Sequence, residues 1–384
     1  MKKSNNFIII LCFIIAFNFI NYEAYAIDSH DNGNTTFSHD SLLRNTEIDL
    51  RLNYGFFVHH HNEMTAYPAR FPMFELSLQK QTYGKSLWQS HLNYPTVGVS
   101  AFYSSLGNID IIGNAYALYP FINFPFTKSK INTFGFRFGI GVGYITKKYN
   151  PEENFRNTSI GSHINAAISL TFEYKRQISE RLKLSAFAGL THFSNGCSSS
   201  PNSGINIINA GAGLSYMLRE PNNYIPKPKV KTSYKGIDPE YYLGMSFGVK
   251  RIIYKQKDNY AVYDLEFYAM DRIGEISKIG ISMDLVYNKC NYISIGDYFG
   301  YNKKYNMLDI LKPGIGVAYE LLMGDFSFLV SVSIQTYKYN NKGIICYQKL
   351  GAKLNLGKFL YGKIALNTHF GTADFIGFGL GVRL

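Results

Sequence analysis

The feature that most constrains this fold is an alternation of apolar and polar residues with a period of two. It recurs in segments of about ten residues, which is the length of a tilted strand that crosses a membrane. In the first segment one face carries Ile48, Leu50, Leu52, Tyr54, Phe56 and Val58, and the other carries Glu47, Asp49, Arg51, Asn53 and Gly55. A soluble β-sandwich shows the same alternation, since one face of each sheet meets a core.

The aromatic residues and the turn lengths favour a membrane barrel over a sandwich. The chain has 31 Tyr and 29 Phe against one Trp, and many segments end in Tyr or Phe, where an aromatic girdle would meet the membrane surface. Short turns such as 179–181 alternate with longer polar loops such as 148–161. We therefore predict an all-β protein, an antiparallel outer-membrane β-barrel of about 14–16 strands.

An irregular connection, Glu220 to Asp238, lies between two blocks of about eight strands each. It contains Pro221, Pro226 and Pro228 among lysines. One closed barrel of all the strands leaves no sheet edge in lipid, and we prefer it. The alternative is an eight-stranded barrel plus an additional β region.

The N-terminus has the pattern of a secretory signal peptide. Met1-Lys2-Lys3 precedes an apolar run and then Ala24-Tyr25-Ala26, which predicts cleavage after Ala26. The alternative, a membrane helix, would need a longer run than one interrupted by Asn18. The predicted organisation is a signal peptide at 1–26, a flexible tail at 27–45, a first block of strands at 46–218, the Pro- and Lys-rich connection at 219–238, and additional barrel strands at 239–384.

Export and the barrel pattern together predict the outer membrane of a Gram-negative bacterium. The final strand, residues 375–384, has an apolar face at the very C-terminus. This is typical of substrates of the barrel-insertion machinery, although an aromatic last residue is more usual than Leu384. Outer-membrane lipids are the expected surroundings.

The composition limits the classes of molecule that this protein is expected to bind. The net charge of +12 fits contact with a phosphorylated glycolipid, and solvated basic loops explain it equally well. No nucleic-acid signature accompanies it. Cys197, Cys290 and Cys346 remain after signal cleavage and form neither a disulfide framework nor a zinc pattern, and His59-His60-His61 indicate a solvated loop. We predict neither a metal nor a cofactor.

One strand pair carries residues with catalytic chemistry. His192 and Ser194 continue an apolar face that begins at Leu182, and Asn206 continues the apolar face of the next strand. Polar groups facing hydrocarbon are costly unless they are hydrogen-bonded. A His–Ser pair oriented by a third group is also an activated nucleophile. A His-x-Ser sequence alone is usually without function, so its surroundings carry the argument.

Those surroundings resemble a known family. His192-Phe193-Ser194-Asn195-Gly196, followed by Pro201-Asn202-Ser203-Gly204-Ile205-Asn206, is similar to the signature of the PagL-type lipid A 3-O-deacylases, which are grouped with the acyloxyacyl hydrolases. The resemblance extends more loosely over residues 46–218. Residues after Pro239 are extra relative to compact members, as in long forms associated with Bacteroidetes.

The resemblance implies a serine hydrolase acting on lipid A, the lipid anchor of lipopolysaccharide. Ser194 would attack the ester carbonyl of an acyl chain, with His192 as general base. Asn202 and Asn195 would hold the oxyanion, and the acyl tail would lie along the apolar barrel wall.

The third member of the catalytic set departs from the family pattern. Asn206 stands where the family usually has a glutamate, and Glu173 lies on the opposite face of its strand. An amide oxygen orients histidine but does not stabilise imidazolium with a full charge. The alternative function is therefore an outer-membrane transport or lipid-binding barrel with a vestigial esterase site. In that case the extra strands would enclose a water-filled lumen. Independently of the function, Gly135, Gly139, Gly141 and Gly143 occupy one strand face, where we expect them to leave room in the lumen.

Overall fold

The computed structural model describes residues 43, 45–58, 70–84, 86–127, 129, 131–219, 237–251, 259–288, 290, 311–335 and 346–384. The predicted signal peptide, almost all of the predicted tail, the histidine run at 59–61 and most of the 219–238 connection lie outside these residues. The chain divides into two compact units, one built on the first eight strands and one on the last eight.

Among the described residues, eight strands and one short helix precede the 219–238 connection. They are β1 Thr46–Phe57, β2 Arg70–Gln81, α1 Leu87–His91, β3 Thr96–Ser104, β4 Ala115–Pro125, β5 Asn132–Ile145, β6 Ile164–Gln177, β7 Leu182–Ser194 and β8 Ile205–Met217. Each strand pairs antiparallel with the next, and β1 also pairs with β8, so that Asp49 faces Ser215. The sheet is a closed barrel.

The second unit repeats this arrangement. Its strands are β9 Glu240–Lys250, β10 Tyr260–Gly274, β11 Ser277–Asn288, β12 Leu311–Met323, β13 Phe326–Gln335, β14 Cys346–Leu356, β15 Leu360–His369 and β16 Thr372–Arg383. The closing pair is β9 with β16, in which Phe247 faces Phe378. This sheet is also a closed barrel. No helix among the described residues is long and apolar enough to cross a membrane.

The preferred single barrel is therefore wrong, and the alternative of an eight-stranded barrel with a further β region is correct. The sixteen strands agree with the prediction, but they close as two sets of eight. Sheet edges do not distinguish one large barrel from two smaller ones, because two closed barrels leave no more free edges than one. Alternation within a strand says nothing about which distant strand pairs with it.

The polarity of each barrel is the reverse of that of a soluble protein. In β1, Leu52 and Tyr54 are 55% and 59% exposed, whereas Asp49 and Arg51 between such residues are 0% and 1% exposed. The apolar face thus points outward and the charged face inward, as in barrels whose outer wall meets lipid. This arrangement excludes the soluble sandwich.

Ion pairs and aromatic rings fill the first barrel. Arg51 Nε lies 2.6 Å from Asp49 Oδ2 and its Nη2 pairs with Glu173. Arg137 Nη2 lies 2.6 Å from Glu75 Oε1. All these side chains are buried, as expected in an eight-stranded barrel, whose interior is just wide enough for its own side chains.

The glycines of β5 make room for rings and not for water. A Cβ atom at Gly139 would lie 2.7 Å from the ring of Tyr119, and one at Gly143 would lie 2.6 Å from the ring of Phe193. The predicted free space in the lumen is therefore taken by Tyr119 and Phe193.

The second barrel encloses a caged lysine. Oxygens of Asp264, Glu266 and Asp284 lie within 4.8 Å of one another, a spacing that suits a metal ion. The Lys349 ammonium donates to all three, at 2.6 Å from Asp264 Oδ2 and 2.9 Å from Glu266 Oε1. A side chain of the protein thus supplies the positive charge among these carboxylates.

We predict that this lysine is required for the stability of the second barrel. Lys349→Met would leave buried carboxylates short of a counter-charge, and breaking such a pair costs about 3–5 kcal/mol. Equilibrium unfolding by urea in detergent micelles should show a lower free energy of unfolding for the second barrel. Lys358→Met is the control, because Lys358 lies exposed in the β14–β15 turn. Equal midpoints for the two variants would contradict the prediction.

Candidate active site

The ends of β7 and β8 bring the predicted residues together. His192 in β7 faces Asn206 in β8. On the other side of β7, Ala166 of β6 faces Ser194. His192 and Ser194 share the strand face of the exposed Ala188, while Phe193 between them is fully buried. The strand phase is therefore the one that the sequence pattern predicts.

His192 is held by the residue that replaces the expected acid. Its Nδ1 lies 2.5 Å from Asn206 Oδ1. An amide oxygen only accepts hydrogen bonds, so the facing nitrogen carries the proton. The neutral ring then has its lone pair on Nε2, which is the state that a general base requires. Asn206 thus selects the tautomer as a carboxylate would, but without the charge.

Asn202 holds Ser194. Asn202 Nδ2 donates to Ser194 Oγ at 3.0 Å, while Asn202 Oδ1 accepts from the Asn195 backbone N–H at 3.0 Å. The Ser194 hydroxyl also approaches Oδ1 at 3.3 Å. One amide therefore fixes both the hydroxyl and the backbone that follows it. Asn195, a predicted oxyanion residue, contributes its main-chain N–H to the contact with Asn202.

The two hydrogen-bonded groups lie side by side on β7. Residues two apart on a strand have Cβ atoms about 6–7 Å apart, which an imidazole and a hydroxyl can bridge. Glu173 does not contribute, because it is buried inside the barrel against Arg51. A serine hydroxyl next to an imidazole and an amide donor is a set of groups that can support acyl transfer.

The loop between β7 and β8 explains the glycines of the signature. Gly196 and Gly204 have φ angles of 59° and 79°, a left-handed conformation that glycine adopts without steric penalty. The Gly204 N–H donates to the carbonyl of Ser159, at 2.9 Å. Ser159 is not among the predicted site residues, and nothing in the sequence near it indicates this contact.

The closed sheets and their outward apolar faces define the class of protein. The interiors are polar, and the described strands form closed sheets in which each strand is hydrogen-bonded to two neighbours. This is a β-barrel protein of the Gram-negative outer membrane.

Two family models then give the family. Residues 73–215 match "Lipid A 3-O-deacylase (PagL)", and residues 239–384 match "Acyloxyacyl hydrolase, C-terminal domain". The chain belongs to this PagL-type acyloxyacyl hydrolase family. The second set of eight strands therefore coincides with the part of the chain that matches the C-terminal domain of acyloxyacyl hydrolases.

Solved structures of outer-membrane proteins are also similar. Neisserial surface protein A is 8% identical, with 45% of this chain and 97% of that chain covered and a TM-score of 0.32. The outer membrane enzyme PagL is 18% identical, with 43% and 97% covered and a TM-score of 0.32. No curated protein matches the chain.

Proposed function

We propose that this protein is a serine hydrolase that removes an ester-linked acyl chain from lipid A in the outer membrane. The observation that carries the proposal is the pairing of His192 with Asn206 beside the pairing of Ser194 with Asn202. Both lie in the region that matches the lipid A 3-O-deacylase family model.

The first half of the reaction forms an acyl-enzyme. His192 Nε2 takes the proton of the Ser194 hydroxyl as Oγ attacks the ester carbonyl carbon. The carbonyl oxygen becomes an oxyanion, and the Asn202 amide, 3.0 Å from Oγ, donates to it; such a donor typically contributes about 3–4 kcal/mol. The imidazolium then protonates the departing lipid A oxygen as its bond to the carbonyl carbon breaks.

The second half releases the fatty acid. His192 takes a proton from a water molecule, which attacks the acyl-enzyme carbonyl. The bond to Ser194 Oγ breaks, and the imidazolium returns a proton to Oγ. The net reaction converts one ester and one water molecule into one alcohol and one fatty acid. No cofactor takes part in these steps.

The outer wall below the site offers a surface for the acyl chain. Ala188 of β7 faces Ala210 of β8, and Ala186 faces Ala212. Phe172, 64% exposed, faces Ala188 from β6, and Tyr54, 59% exposed, faces Ala210 from β1.

The rings of Phe172 and Tyr54 flank a strip of small alanine side chains. On β7 this strip lies on the same strand face as Ser194. Six residues of strand span about 20 Å, which is the scale of a fatty-acyl chain. This supports an acyl tail that runs along the lipid-facing wall.

Loss of one acyl chain from lipid A is the first expected outcome. Mass spectrometry of lipid A from cells that express the protein should show a species lacking one ester-linked chain. Ser194→Ala should lower the rate by about 10⁴-fold or more, because the nucleophile is lost. Ser198→Ala is the control, since Ser198 is exposed in the same loop. If wild-type protein removes no acyl chain, the proposed function is wrong.

The replacement of the acid by Asn206 gives a second prediction. Asn206→Ala removes the acceptor for His192 Nδ1, so kcat should fall by about 10²-fold or more. Asn206→Glu restores a charge beside the imidazolium and should raise kcat above wild type. Both variants are assayed on purified lipid A. Equal kcat values for wild type and Asn206→Ala would show that this contact has no role in catalysis.

The alanine surface gives a third prediction. Ala188→Phe should slow the hydrolysis of lipid A while leaving a short water-soluble ester, p-nitrophenyl acetate, hydrolysed at close to the wild-type rate. We expect its kcat/KM on lipid A to fall about tenfold, because the acyl chain would lose apolar contact over a few of its methylene groups. Ala101→Phe, an exposed alanine on β3, should change neither rate. Equal losses on both esters would contradict the wall-bound acyl chain.

A further inference from the structure

One hydrogen bond at Nδ1 leaves the His192 ring some freedom to tilt, so the space on its other sides also bears on the direction of Nε2. Gly204 lies beside the Cε1 edge of the ring. A Cβ atom at Gly204 would lie 3.0 Å from His192 Cε1 and 3.8 Å from His192 Nδ1. Gly204 is buried and has a φ of 79°. A side chain on residue 204 would therefore press against the imidazole, at the carbon between its two nitrogens.

A different loop holds Gly204 in place. The Gly204 N–H donates to the carbonyl oxygen of Ser159, at 2.9 Å. Ser159 is fully buried in the β5–β6 connection, and the next residue, Ile160, is also fully buried. Ile160 belongs to the same apolar cluster as Phe193 and Ile205. The contact behind the imidazole is thus anchored in the packed end of the first barrel.

Asn157 sets the shape of that connection. Its Nδ2 donates to the carbonyls of Ile111 and Lys147, each at 3.1 Å, and its Oδ1 accepts from the Ile160 N–H at 3.3 Å. Asn157 is fully buried. It ties the β3–β4 and β5–β6 connections together next to Ser159. A change at Asn157 would therefore reach Gly204 through the loop, without placing any atom against the ring.

We propose that Gly204, held by the Ser159 carbonyl, is a positioning residue for His192. Because residue 204 has no side chain, the imidazole edge occupies the space beside it, with Asn206 holding Nδ1 and Nε2 left available to Ser194. The inference rests on the proposed function and adds to it. The lack of a side chain at residue 204 is a requirement of the general base as well as of the loop backbone.

The test compares two glycine variants, both at positions with a positive φ. Gly204→Ala adds a carbon against the ring. Gly357→Ala adds one at a φ of 90° with no atom within 4 Å. We expect Gly204→Ala to lower kcat on lipid A by about 10²-fold, the cost of a small misplacement of a reacting group. KM should stay within about twofold, because substrate contacts are kept. Gly357→Ala should retain wild-type values.

A spectroscopic readout makes the test independent of turnover. Histidine labelled with ¹³C at Cε1 gives a resonance for His192 in detergent micelles, assigned by its loss in His192→Gln. Gly204→Ala should move this resonance, and Gly357→Ala should not. Heat-modifiable mobility in electrophoresis reports that each variant is folded. Asn157→Ala should show the same split between kcat and KM, to a smaller degree, and carries the test if Gly204→Ala does not fold.

The outcomes separate the two proposals. If Gly204→Ala and Gly357→Ala change kcat and the resonance equally, the positioning role is wrong, whatever the enzyme does. The wild-type protein could lack esterase activity while Gly204→Ala moves the His192 resonance and Gly357→Ala does not. In that case the proposed function is wrong, and the effect of residue 204 on His192 is confirmed.

Discussion

The charged side chains that point into these barrels have to be neutralised there, and the rest of the structure depends on that constraint. The outer faces are apolar, so residues such as Arg51, Arg137 and Lys349 have only a narrow interior to occupy. Buried charges are tolerated when they are paired and hydrogen-bonded. The ion pairs therefore stabilise the register of the strands, because a shift by one residue would place Asp49 or Arg51 in lipid.

The candidate site is the exception to this division. His192, Ser194 and Asn206 are polar but lie in phase with the apolar outer face. They are compatible with that face because His192 is hydrogen-bonded to Asn206, and Ser194 to Asn202. The first of these bonds also gives the histidine a defined tautomer. In the proposed mechanism, the interactions that satisfy the polar residues at this position also prepare them for acyl transfer.

Much of this was predictable from the sequence, for physical reasons that differ between elements. The strands and the phase of His192 follow from alternation, which is a local property of each segment. The pairing of β1 with β8 does not, because closure depends on residues about 170 positions apart in the chain. The roles of Gly204 and Ser159 were not predictable either. They depend on a left-handed backbone and on a main-chain carbonyl, neither of which leaves a pattern in side-chain chemistry.

The closure of each set of eight strands has an evolutionary consequence. Among the described strands, each backbone ladder runs within one set, so the segment encoding β9–β16 can be acquired or lost without leaving a torn sheet in either half. A family could therefore vary in length by whole barrels rather than by single hairpins. Within such a lineage the two halves are free to diverge at different rates.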